Sequence, residues 1–257
     1  MSHFTFTAIL AVGLFGGMLI ALRAGKWLGM RRKAAEGNGM GGIGVMEGAV
    51  FALMGLVIAF SFSGALTRFD WRRHLVIEEA NDIGTAYLRV DLLPPQDQPA
   101  MRALFRRYVQ TRLGIYEKLP DINVVNAELA KLAAIQGEMW AIALAGSQRS
   151  GTTAAPMLLL PALNAMFDIL NTQVMAAKTH PPPVVFGMLL GLALVSSLLV
   201  GYDLARVKER HWIHLLGFTF AIAFSVYVIL DLEYPRLGLI RIDDFDKALV
   251  DLLAQMK

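Results

Sequence analysis

The densest grouping of chemically capable side chains lies at residues 78–89, where Glu78, Glu79, Asn81, Asp82, Thr85 and Arg89 crowd together. On a helix, Glu78, Asn81, Asp82, Thr85 and Arg89 sit at offsets of three, four, seven and eleven. They form one polar stripe, opposite Ile77, Ala80, Gly84 and Leu88. Two solvated acids four residues apart on one face repel by about 0.2–0.5 kcal/mol. A cation, a proton or an arginine relieves that repulsion, and Arg72, Arg73, Arg89, Arg106 and Arg107 are within reach. The stripe therefore reads as a salt-bridge network between helices, as a solvated face, or as an ion or proton site on a conduction path. An acid pair without a pocket is poor ground for acid–base catalysis. No nucleophile elbow, kinase or hydrolase signature accompanies it, so no enzyme is expected.

Two further groupings stand out. Phe60, Ser61, Phe62 and Ser63 precede Gly64 near the end of an apolar run, where alternating Phe and Ser can line a constriction or simply pack. Asp231, Pro235, Arg236 and Gly238 form a tail motif, with Glu233 among them. Acids beside lipid need a partner, and the nearest base in sequence is Arg236. His3, His74, His180, His211 and His214 are scattered, so neither a metal nor a cofactor is expected. The chain has no cysteine, which excludes disulfides, thiolate metal sites and cysteine nucleophiles.

The elements that position these groups are set by hydropathy. Residues 4–22, 48–66, 184–202 and 212–230 each carry no Asp, Glu, Lys or Arg. A helix rises about 1.5 Å per residue, so some twenty apolar residues cross the ~30 Å hydrocarbon core. The 257 residues are 56% hydrophobic and only 18% charged, with a mean hydropathy of +0.51. The charges cluster outside the four runs, which makes the excess apolar surface lipid-facing. Short alternating segments of the kind a membrane β-barrel needs are not seen. The expected fold class is all-α, an integral membrane protein with four transmembrane helices in a 2+2 order and an inserted helical bundle.

The expected divisions are 1–66, a first transmembrane hairpin; 67–183, a soluble helical bundle; 184–230, a second hairpin; and 231–257, a C-terminal tail with a short helix. Between the first two spans, residues 36–44 are glycine-rich and read as a hinge, since no strand precedes them. From Leu66 to Leu93 no proline interrupts, so one long helix of about 45–93 is expected, stopped by Pro94 and Pro95. Its second half projects into water and would carry a membrane event into the bundle. Three amphipathic helices follow. The first carries Met101, Leu104, Phe105, Tyr108, Leu113 and Tyr116 on one face and ends at Pro120. The second carries Val125, Leu129, Leu132, Ile135, Met139 and Ile142, with Asn123 or Asn126 as its cap. The third carries Leu159, Leu163, Met166, Phe167, Leu170 and Val174, with Pro161 in its first turns.

The net charge of +3 and pI of about 9.2 are mild, and the bases sit beside the apolar runs. Headgroup contact accounts for them, so lipid is an expected partner and nucleic acid is not. The short connections hold Arg23, Lys26, Arg31, Arg32 and Lys33, then Arg206, Lys208 and Arg210. Weighting short loops most heavily, that density places them in the cytoplasm of a bacterial inner membrane. The bundle and both termini then lie outside. The N-terminal run has no leading base and no small-residue cleavage site, so it reads as a retained span.

Residues 76–94 (VIEEANDIGTAYLRVDLLP) and 229–241 (ILDLEYPRLGLIR) resemble the signature segments of a bacterial bestrophin-like family. Arg106-Arg107-Tyr108-Val109 and Leu160-Pro161-Ala162-Leu163-Asn164 fit the same pattern. The resemblance implies kinship with bestrophins, pentameric anion channels with four membrane helices per subunit and a helical soluble part. It implies a homo-oligomeric ion channel, anion in preference to cation, whose pore is lined by the second span. Phe60 and Phe62 would be its neck residues and inorganic ions its partners. Bestrophins keep the soluble part in the cytoplasm, whereas the charge count here favours the outside. The other reading is a membrane-anchored scaffold or sensor that binds a partner protein and transports nothing.

Overall fold

The computed structural model describes residues 3–36, 43–119, 121–206 and 212–256, and every regular element among them is helical. In chain order these are α1 (His3–Glu36), α2 (Ile43–Leu88), α3 (Gln98–Glu117), α4 (Ile122–Arg149), α5 (Leu160–Lys178), α6 (Pro183–Asp203), α7 (Trp212–Glu233) and α8 (Lys247–Gln255). Four stretches are long and apolar enough to cross a membrane, within Phe4–Arg31, Val45–Leu92, Ala155–Asp203 and Trp212–Glu233. The chain is a helical membrane protein. The central residues of the glycine-rich link, Pro120, and the bases Lys208 and Arg210 lie outside the described residues.

The chain divides into two compact units, Met1–Arg68 with His180–Tyr234, and Phe69–Thr179 with Pro235–Lys257. The tail after Tyr234 thus belongs with the bundle sequence rather than forming an appendage of its own. Helix α2 contributes to both units.

In the first unit, α1 packs on α6 and α7 around Leu14, Met18, Ala193, Ile222 and Val226, with Met54 of α2. Glycines set the approach of α1 to α6. A methyl group on Gly201 would lie 2.0 Å from the Leu22 carbonyl oxygen, and one on Gly25 would lie 1.9 Å from that of Leu198. Small residues let helix backbones touch where lipid supplies no hydrophobic drive between them. Two buried hydroxyls inside the spans bond back to their own helix, Ser197 to Ala193 O at 2.8 Å and Thr219 to Leu215 O at 2.9 Å, whereas the Ser196 hydroxyl has no partner among the described residues.

The second unit buries the latter half of α2 against α3, α4, α5 and the tail. Its core includes Ile83, Phe105, Tyr108, Ile135, Met139, Leu163 and Met166, closed by Leu249 of α8. Helix α2 ends at Leu88 and tightens into a 3₁₀ turn, Arg89–Leu92, before Pro94. Its last turn gives way earlier than the prolines alone dictate. The N-terminus of α4 is capped by Asp121, whose carboxylate accepts from the backbone N–H of Asn123 at 3.0 Å and Val124 at 3.2 Å. Asn123 and Asn126, the caps suggested by the sequence, lie inside the helix. The helix begins at Ile122, and a carboxylate there is favoured by the helix dipole as well as by its hydrogen bonds. Pro161 occupies the first turn of α5, after a π-helical turn at Ala155–Leu159.

Candidate functional site

Helix α2 carries most of the residues singled out above, and it leaves one face uncovered along its length. Leu53, Leu56, Phe60, Ser63 and Thr67 are exposed in the first unit. Trp71, His74, Glu78, Asn81 and Thr85 are exposed in the second. Their spacings are three or four throughout, the register in which residues share a helix face. The stripe is apolar through Phe60, which is 69% exposed, then hydroxylic, and finally polar and acidic. Of the four neighbouring Phe and Ser residues, Phe60, Phe62 and Ser63 are exposed and Ser61 is half-buried.

The group at 78–89 is divided by the fold. Glu78, Asn81 and Thr85 are exposed, Asp82 is half-buried, and Glu79 is sealed in the core. Arg89 donates from Nη1 to the Leu158 carbonyl at 2.8 Å. Burial, with Glu78 beside it, raises the Asp82 carboxyl above the usual range. The register that faces inward is Arg72, Val76, Glu79, Ile83, Ala86 and Val90, so Ile77 and Leu88 are left exposed. Arg72 closes the C-terminus of α5, donating to Ala176 O at 3.1 Å and Thr179 O at 2.8 Å.

Glu79 is the centre of a buried polar cluster. Arg112 donates from Nε to its Oε1 at 2.6 Å, and Gln173 donates from Nε2 to its Oε2 at 2.8 Å. Gln173 also donates to Leu75 O at 2.8 Å, while its own oxygen accepts from Arg112. Tyr116 lies under the Arg112 guanidinium at 4.5 Å and under that of Arg236 at 3.4 Å. Burial pushes the Tyr116 hydroxyl up to about 12 against the pull of Arg112. Burial alone would lower Arg112, but Glu79 and the tyrosines hold it above its ordinary value. Glu79, Arg112 and Gln173 each find hydrogen-bond partners, which is what lets charges persist in a core, while the nearby buried Tyr108 hydroxyl has none among the described residues.

The tail motif is split between the units. Asp231 is buried at the end of α7 and accepts from the Tyr227 hydroxyl at 3.3 Å. The sequence points Arg236 at Asp231 and Glu233. The structure gives it Asp246, through two bonds of 2.8 Å. Pro235 accepts from Ile242 N–H at 3.1 Å, which folds the segment containing Gly238 into a loop that brings Asp246 to Arg236.

Glu233 is held instead by Arg68, which donates from Nε at 2.9 Å and also from Nη2. His180 Nδ1 lies 3.4 Å from the same carboxylate, and its ring stacks on Tyr234 at 4.5 Å. Arg68 stands at one end of a recess of about 240 Å³ whose α2 wall is Val57, Phe60, Ser61 and Gly64. Among the described residues there is no group of three or more metal-ligating side chains.

Arg112, Gln173, Arg68 and Asp246 are absent from the sequence-derived site. The signal for Arg112 and Gln173 was present. Each interrupts an apolar stripe at a core position, in the runs 105, 108, 112, 115 and 163, 166, 170, 173. Nothing local marks the pairs Arg68–Glu233 and Arg236–Asp246.

A family model described as a Bestrophin-like domain matches residues 16–244. The fold is similar to the crystal structure of a bacterial bestrophin homolog from Klebsiella pneumoniae with a tyrosine-to-alanine mutation. The TM-score is 0.65 at 14% sequence identity, over 96% of this chain and 99% of that one. At that identity the likeness shows the fold. No curated protein matches the sequence.

Proposed function

Because this chain belongs to the bestrophin-like family, we propose that it is a subunit of a homo-oligomeric ion channel whose pore is lined by α2. The observation that carries the reading is the uncovered stripe of α2, in unbroken register from Leu53 to Thr85. A helix face with no partner inside its own chain is covered by lipid, water or another copy. A run that passes from Leu and Phe through Ser and Thr to Asn and Glu suits an aqueous axis shared by copies. Closed rotational symmetry then assembles the pore that one subunit cannot enclose. Phe60 forms the apolar constriction, and Ser63, on the same stripe, offers a hydroxyl to a partly dehydrated ion, while Ser61 and Phe62 lie off that face.

On the sign of the ion, the resemblance implies an anion, while the charge on α2 favours a cation. Glu78 is exposed on the stripe and Asp82 is half-buried one turn on, and a symmetric assembly repeats them as acidic rings. We follow the charge. The same reading puts the short connections in the cytoplasm of a bacterial inner membrane and the bundle outside, on the support of the Arg and Lys density in those connections. A reporter fused at Lys118 reads that orientation.

The test is reconstitution. Purified protein is expected to run as a closed oligomer and to pass ions in liposomes, with a reversal potential that follows the cation gradient. A monomer without flux contradicts the reading, and a reversal potential that follows chloride contradicts its ion preference.

A further inference from the structure

The recess beside Arg68 is walled by Val57 and Phe60 of α2, Val185 and Phe186 of α6, and Ile229 of α7. We propose that it holds one acyl chain of an anionic phospholipid, with the lipid phosphate on Arg68.

Three observations converge on that occupant. The first is shape and lining. From Val57 to Arg68 the α2 wall is eleven residues long, about 16 Å, and Ser61 is its one polar side chain before Arg68. A slot of that length, apolar and within membrane-crossing sequence, matches a hydrocarbon chain lying along the helix.

The second is the cation at its end. Arg68 commits Nε and Nη2 to Glu233, whose side chain is fully buried behind it. Its Nη1 makes no hydrogen bond among the described residues, and the Arg68 side chain is 26% exposed. The guanidinium lies along Gly64, where a methyl group would come within 3.3 Å of Nη1. Glycine thus leaves the N–H edge free at the level where the apolar runs end, the depth of lipid phosphates.

The third is the scarcity, within this chain, of acids that could occupy that edge. None of the four apolar runs carries a carboxylate. Of the acids near that edge, Asp231 and Glu233 are buried, and Asp70 pairs with Arg73 at 3.2 Å. A phosphate on the lipid is the anion that geometry leaves available.

The inference does not depend on ion conduction, since lipid retention is read without flux. The test is native mass spectrometry of the full-length protein released from detergent, after incubation with phosphatidylglycerol or phosphatidylcholine. Wild type is expected to retain phosphatidylglycerol about tenfold better than phosphatidylcholine, a 1.4 kcal/mol preference. Val185→Trp, which fills the slot without touching the ion pair, is expected to abolish the preference. Met188→Trp on the same wall gives the same readout if Val185→Trp fails to fold. Equal retention of the two lipids overturns the proposal, as does unchanged retention in both tryptophan variants. Displacement of the lipid by inorganic phosphate would mark a bare anion site and also overturns it. A changed oligomeric state at constant lipid count would place a second copy in the slot, with the same consequence.

Discussion

Arg112 Nε donates to Glu79 Oε1 across 2.6 Å with both side chains almost wholly sealed from water, so the helical bundle is organised around an ion pair rather than around apolar contacts alone. Gln173 bridges the two, which ties α2, α3 and α5 at one point.

Removing one partner leaves a buried charge with no answer, at a cost of about 3–5 kcal/mol. Glu79→Gln and Arg112→Met are each expected to lower the thermal midpoint of the detergent-solubilised protein sharply. The double variant Glu79→Leu/Arg112→Met should recover much of that loss, because neither charge then remains. A double variant that loses the sum of the two single losses contradicts the pairing.

Asp82 gives a pH dependence with a definite sign. Its folded carboxyl titrates above the unfolded one, because burial and Glu78 disfavour the charged form. The neutral form therefore adds stability that is present below the unfolded value and is lost as pH rises through the folded value. Asp82→Asn should be more stable than wild type at neutral pH, and the advantage should vanish in acid. Thermal melts across pH 3 to 8, taken as about one unit beyond the carboxylate range on the acid side, check this. An advantage that grows in acid has the wrong sign.

Packing of α1 on α6 rests on glycine. Gly201→Val would force a side chain into the Leu22 backbone, where even a methyl group lies 2.0 Å from the carbonyl oxygen. Loss of folded protein at expression is expected, a penalty at or beyond the ~1–3 kcal/mol of ordinary overpacking. Gly13→Ala and Gly16→Ala meet open space and should behave as wild type. Size-exclusion profiles of the three proteins decide it.

How much of this was legible in the sequence follows from the range of each interaction. The four spans rest on runs of about twenty residues, and the bundle helices on repeats of three and four, so both were visible locally. Pro161 marked its helix for the same reason. Asp121 does not stand out as a cap in the sequence, because the asparagines at 123 and 126 look equally suitable, and where the helix begins decides between them. Glu78 and Glu79 look alike as neighbours in sequence, while a helix turns them about 100° apart, one to the surface and one into the core. Arg68 with Glu233 and Arg236 with Asp246 depend on where the chain returns, which no local pattern encodes.

If Phe60 is the constriction, Phe60→Ala widens it. Single-channel conductance in planar bilayers is expected to rise severalfold, with the oligomer intact. Glu78→Gln/Asp82→Asn should leave conductance at high salt nearly unchanged and weaken cation preference at low salt, where screening is least. A conductance indifferent to Phe60→Ala would move the constriction elsewhere.

The central claim is that one face of α2 borders the ion path, and the absence of native cysteine makes it directly measurable. Single cysteines at Leu56, Phe60, Ser63 and Thr67, with Ile58 and Ala65 on the opposite side of the helix, can be treated with a charged thiol reagent during liposome flux. Block confined to positions 56, 60, 63 and 67 is the predicted result. Block that ignores the three-and-four register, or that falls on Ile58 and Ala65 instead, would contradict it.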